Sequence, residues 1–225
     1  MPRLFLLSPA NAAGVRAQQL LSPRAAFELA RRVQSPQGAQ KGEVFAFVSG
    51  LYFRGKLTYA QRFADVGDHP ARTELGGGVL VITPGAGLRS ADTHVNAEAL
   101  RLFAQIEIDL ANPAYRTPLV ASARRVARAI GEGGEVVLLG SIASPKYVDV
   151  LLDIFGPRLL FPTAFVGRGD MSRGGLMLRC AADRQELSYL PVAGAIMNGK
   201  RPPKLAPRRY RIGSQPAWLT RPPGC

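Results

Sequence analysis

Apolar positions along this chain gather in short runs. Leu4 to Leu7, Val44 to Val48, Val79 to Ile82, Val136 to Leu139 and Leu159 to Phe161 are each followed by small or polar residues. Continuous apolar runs of that length, bounded by turn formers, predict strands covered on both faces. Helical stretches lie between them. Ser22-Pro23, Thr117-Pro118 and Ser144-Pro145 each set a capping hydroxyl before a proline at the first helical position, and Gly131 and Gly156 stand where helices would stop. Strand and helix in alternation predict a mainly parallel, doubly wound α/β sheet. Further on, Gly175 to Cys180 and Glu186 to Val192 flank Ala182-Asp183-Arg184 and read as a hairpin that adds antiparallel strands to one edge, making the sheet mixed. Residues 34–41 and 67–78 read as surface connections.

From Gly199 the pattern changes. Lys200, Arg201, Lys204, Arg208, Arg209, Arg211 and Arg221 are basic, no acid intervenes, and prolines recur. This predicts one α/β domain over 1–198 and a basic, proline-rich, extended tail over 199–225, docked by Tyr210 and Trp218.

Composition refines this picture. Apolar residues make up 47% of the chain and charged residues 20%, so a core forms. The formal charge of +13 is the larger clue, because such an excess is tolerated through self-repulsion unless a polyanion meets it. Nucleic acid, DNA before RNA, is the expected partner, with a phosphorylated small molecule as the other anion to consider. No apolar run reaches membrane-spanning length, Pro9, Asn11 and Gly14 interrupt the first apolar stretch, and Cys180 and Cys225 are the only cysteines. The expectation is a soluble, cytoplasmic protein with no membrane partner, no cofactor and no metal.

In open parallel sheets, ligands bind beyond the carboxyl ends of the strands. That rule selects Ser8 and Asn11; Ser49, Tyr52, Arg54 and Lys56; Thr83, Gly85 and Gly87; Ser141, Ser144, Lys146 and Tyr147; and the segment Gly167 to Gly175 with Arg168, Asp170, Ser172 and Arg173. Hydroxyls, glycines and cations dominate, which is the chemistry of an anion site. Tyr52 beside cations has the makings of a base-stacking platform, while Phe53 reads as core. Gly85-Ala86-Gly87 lacks the third glycine of a dinucleotide fingerprint. His69 and His94 give no metal-ligand spacing. Ser141 or Ser144 with Lys146 is a conceivable serine–lysine pair, and Asp170 is the one carboxylate in these loops, so acid–base work would fall on it.

Four collinear segments, Leu7-Ser8-Pro9-Ala10-Asn11, Ser49-Gly50-Leu51-Tyr52, Ser144 to Tyr147 and Gly169-Asp170-Met171-Ser172-Arg173, resemble segments of the peroxide stress protein YaaA family. The resemblance implies an α/β core, DNA binding and a role in protection against oxidative stress. The chain departs from the family at Asn11, where the family has a lysine, and the first two segments lie closer together here. Three readings stand: a nucleic-acid-binding protein, an enzyme acting on a nucleoside, nucleotide or damaged base, and an interaction module whose basic tail meets an acidic protein.

Overall fold

Successive residues of a strand point to opposite faces, and the first strand, β1 (Arg3–Leu7), uses both. Phe5 and Leu7 belong to one buried cluster, Leu4 and Leu6 to the other. The same division recurs in β3 (Val79–Thr83) and β6 (Glu135–Leu139), so these strands carry a hydrophobic layer on each side. The computed structural model that shows this describes residues 1–69, 72–195 and 199–207, apart from the side chains of Thr73 and Glu74.

With β4 (Gly87–Ser90), β7 (Leu159–Pro162) and β8 (Tyr189–Pro191), these strands make a six-stranded sheet in the order β4-β3-β1-β6-β7-β8. The central pairings β3–β1, β1–β6 and β6–β7 are parallel, and the outer strands β4 and β8 run antiparallel to their neighbours. The fold is thus a mixed, mostly parallel α/β sheet with helices on both faces. On one face lie α1 (Val15–Leu21), α2 (Glu28–Gln34), α3 (Lys41–Ser49), α4 (Leu51–Phe63), α6 (Ala97–Gln105) and α9 (Asp170–Asp183). On the other lie α7 (Pro113–Ile130) and α8 (Pro145–Phe155). A short helix, α5 (Arg72–Leu75), precedes β3, and a two-stranded sheet of β2 (Ala39–Gln40) and β5 (His94–Val95) closes one end.

Several expectations are corrected. Val44 to Val48 is not a strand but part of α3, because its buried residues Lys41, Val44, Phe45 and Val48 repeat at helical spacing. Gly175 to Cys180 is helix α9, so the antiparallel edge pair is β8 against β7 and not a hairpin around Ala182-Asp183-Arg184. Ser22 ends α1, its amide donating to Gln19 O, where a helix start was expected. Helix α7 starts ahead of Thr117: Asn112 Oδ1 accepts from Ala114 N at 3.0 Å, and Pro118 sits inside the helix. Ser144-Pro145 does open α8, and Gly131 and Gly156 end α7 and α8. Residues 34–41 include β2 and the start of α3, and residues 67–78 include α5 and the fully buried Leu75, so neither is wholly a surface connection. Phe53 is core, as read from the sequence. Tyr210, Trp218 and the basic residues from Arg208 onward lie outside the described residues. Among the described residues, no helix is long and apolar enough to cross a membrane.

Candidate functional site

Chain order and sheet order diverge at one place. From β1 the chain returns on one side as β3, then crosses to the other side as β6. The loops leaving β1 and β6 therefore part to opposite faces and leave a crevice at their carboxyl ends, where open α/β sheets take ligands. A cavity of about 440 Å³ occupies that crevice. Its wall is made by Ser8, Pro9, Asn11 and Gly14 after β1, by Ser141, Ser144 and Tyr147 after β6, by Val48, Ser49, Tyr52 and Lys56 of α3 and α4, and by Asp170 and Met171 at the start of α9.

Local sequence explains these positions. Gly50 adopts φ +65°, a conformation that costs glycine little, and there the chain breaks from α3 into α4. Tyr52 and Lys56 are four residues apart and so share a face of α4. Ser144 caps α8 with Pro145 behind it, and Gly169 precedes α9. Helices α4, α8 and α9 thus all begin at the cavity, bringing the positive ends of their dipoles to it.

Lys56 is the floor. Its side chain is 1% exposed, and Nζ donates to the Ser8 carbonyl at 2.9 Å and lies 2.8 Å from Ser8 Oγ. The ammonium also faces the Tyr52 and Phe53 rings, 4.6 and 4.7 Å from their centroids. Burial pushes the amine down to about 7, against the opposing attraction of Asp170. Beside it Ser8 is 8% exposed, and its amide donates to Leu139 O, fixing it to the end of β6. The Tyr147 hydroxyl accepts from Ser141 N and donates to Ser141 O, at 3.1 and 3.0 Å. Gly140 makes room for this arrangement: a Cβ there would stand 2.8 Å from Ser8 Cβ and 2.9 Å from the Tyr147 hydroxyl. The Tyr52 hydroxyl is buried and makes no hydrogen bond with a described residue, and burial raises its pKa.

The sequence-derived candidates do not all meet. Ser8, Asn11, Ser49, Tyr52, Lys56, Ser141, Ser144, Tyr147 and Asp170 come together on the cavity wall. Arg173 stands just behind it, donating through Nε and Nη2 to Phe165 O and lying 3.7 Å from Asp170. Arg54 and Lys146 are exposed and take no part in the wall. Arg168 turns the other way, to Ala164 O, Ser172 Oγ and Pro203 O, so it reaches the C-terminal segment while Ser172 accepts from it. The serine–lysine pair is therefore corrected: the lysine that meets a serine is Lys56, and the serine is Ser8. The segment from Asp170 to Gly175 is helical, which turns Asp170 to the rim with a side chain 66% exposed. Gly85 and Gly87 shape the β3–β4 turn, where Thr83 Oγ1 donates to Gly87 O. Met171, exposed at the rim, falls within the selected segment Gly167 to Gly175 without having been given a role of its own, and Val48 was read only as part of a strand.

Among the described residues no group of three or more His, Cys, Asp or Glu side chains is placed to hold a metal ion. Compared with protein-family models, with curated proteins and with solved structures, the chain matches none of them.

Proposed function

We propose that this protein binds nucleic acid, DNA in the first place, and seats a single phosphate-bearing nucleotide unit in the strand-end cavity. The observation that carries this reading is the cavity itself: about 440 Å³, at the switch point of the sheet, with three helix N-termini around it and a lysine at its floor. Ligand sites of roughly 300–1,000 Å³ are typical for molecules of that size. Helix starts favour anions through free amides and dipoles, and the chain's charge of +13 would draw a polyanion toward it. A stress-protective role remains an implication of the family resemblance alone.

The test is fluorescence anisotropy with labelled single- and double-stranded DNA between about 50 and about 200 mM salt, where neutralising several phosphates makes affinity fall steeply. A nucleoside monophosphate is added as competitor, and Ser49→Trp serves as a variant that fills the cavity. Steep salt dependence, competition and loss of binding in Ser49→Trp are expected. Absent or salt-independent binding overturns the DNA reading, and binding untouched by the mononucleotide and by Ser49→Trp moves the partner away from the cavity.

A further inference from the structure

The lysine at the cavity floor has a second property. Its amine and a hydroxyl meet at 2.8 Å on the cavity wall, both nearly buried and both open to the interior. We propose that Ser8 and Lys56 are a nucleophile and its base, and that the cavity cleaves carboxylic esters of a phosphate-bearing alcohol. The phosphate-bearing part of that substrate rests on the cavity's proposed preference for nucleotides; the reactive pair does not.

Each part of the chemistry has a named group. Both contacts run from Lys56 Nζ to Ser8, at 2.9 Å to the carbonyl and 2.8 Å to Oγ; once the amine has lost a proton it keeps the first, and its lone pair takes the Ser8 hydroxyl hydrogen across the second. Burial, the cause that lowers the amine toward neutrality, is a property of this floor, while Asp170 steadies the ammonium once it forms. Ser8 Oγ adds to the ester carbonyl carbon as its proton passes to Lys56 Nζ. The tetrahedral intermediate then expels the alcohol oxygen, which takes that proton and leaves an acyl group on Ser8. Water attacks the acyl carbon, Lys56 takes the water's proton and returns it to Ser8 Oγ, and a carboxylic acid departs. The sum is ester plus water giving acid plus alcohol.

Acyl rather than phosphoryl transfer follows from the charges. Lys56 must be neutral to act, and the Arg173 guanidinium is held by the Phe165 carbonyl and Asp170. Transfer of a phosphoryl group relies on cations over its equatorial oxygens. A single acyl oxyanion is stabilised by dipoles and N–H groups, which the starts of α4 and α8 bring to this cavity.

The experiment is labelling with a fluorophosphonate probe, whose phosphorus forms a bond to an activated serine oxygen with loss of fluoride, followed by peptide mass spectrometry. Labelling at Ser8 is expected, absent in Ser8→Ala and slowed by about a hundredfold in Lys56→Met. The rate should rise with pH through about 7 and level off, since Lys56 must be deprotonated. The other ionisable groups around it are Tyr52, Tyr147, Asp170 and Arg173. Ser8→Cys, nearly isosteric, provides a second reading: its thiol should react with iodoacetamide faster near neutral pH than the same variant also carrying Lys56→Met. Labelling at another residue, none in the folded protein, or an equal thiol rate in Ser8→Cys with and without Lys56→Met overturns the proposal. DNA binding by Ser8→Ala separates the two ideas. If binding persists without any labelling of wild type, the reactive pair fails alone; if labelling occurs without binding, the nucleotide reading fails alone.

Discussion

Among the described residues two lysines are buried, and their surroundings differ in the fate of one hydrogen. Lys41, at the start of α3, is 4% exposed and donates to Thr93 Oγ1 at 2.7 Å; Lys56 is 1% exposed and meets Ser8 Oγ at 2.8 Å. Burial lowers both, Lys41 to about 8 with help from Arg89, and Lys56 to about 7. Each hydroxyl also borders a cavity of about 440 Å³. Thr93, however, gives its own hydrogen to the Ser90 carbonyl at 2.7 Å, which leaves it only an acceptor for Lys41. Ser8 Oγ likewise accepts from its lysine, but its other neighbour is the Tyr147 hydroxyl, not a backbone carbonyl, and it lies at a crevice ringed by helix starts. A depressed amine beside a hydroxyl is thus not enough for the proposed chemistry; the hydroxyl's hydrogen must not be committed to a carbonyl, as that of Thr93 is.

The largest expected difference is in reactivity. Lys56→Met should slow fluorophosphonate labelling by about a hundredfold, whereas Lys41→Met should change it by less than about twofold; equal effects from the two would erase the contrast. Next comes the wall that carries Lys56. A Cβ on Gly55 would come within 2.6 Å of Gly174 O, so Gly55→Ala should force α4 and α9 apart, costing about 1–3 kcal/mol in denaturant unfolding and reducing labelling with it. The pH dependence of stability should be smaller. A lysine depressed when folded binds fewer protons than in the unfolded chain, so stability rises with pH above its folded value. Wild type should therefore gain stability from about pH 7 toward 9, and Lys56→Met should flatten that rise from about 7 while Lys41→Met flattens it only from about 8. Tyr52 and Tyr147 do not interfere in this window, because burial raises both. The smallest effect belongs to Thr93→Val, which removes the hydrogen bonds to Lys41 and to the Ser90 carbonyl and should cost about 1 kcal/mol in the same unfolding experiment without altering labelling.

Much of the frame was legible in the chain. The runs in β1, β3, β6 and β7 are short, apolar and followed by turn residues, and parallel strands buried on both faces have that signature. The run from Val44 to Val48 has the same look and is helical; its helical period was hidden because its partner one turn back, Lys41, is a buried lysine that no hydrophobic pattern counts. The site was half legible for a related reason. Ser8, Asn11, Ser49, Tyr52, Lys56, Ser141, Ser144, Tyr147 and Asp170 line one crevice while Arg54, Lys146, Arg168, Ser172 and Arg173 do not, and Lys56 entered the set as a loop residue when it belongs to a helix face. Its contact with Ser8 spans 48 positions in sequence and depends on how α4 docks on β1, a tertiary fact that local spacing does not encode. The likeness between Ser144 and Lys146 as neighbours and a reactive pair misled in the same way, since Lys146 points to solvent.

Gly55 and Gly174 bring the backbones of α4 and α9 nearly into contact. In mechanical terms this crossing is a rivet: it lies one residue from Lys56 and one from Arg173, and no side chain is present there to compress. The two walls it joins have no side chain at the crossing whose rotamer could yield, so in the proposed site room for a bulkier guest would have to come from the exposed rim at Asn11 and Met171.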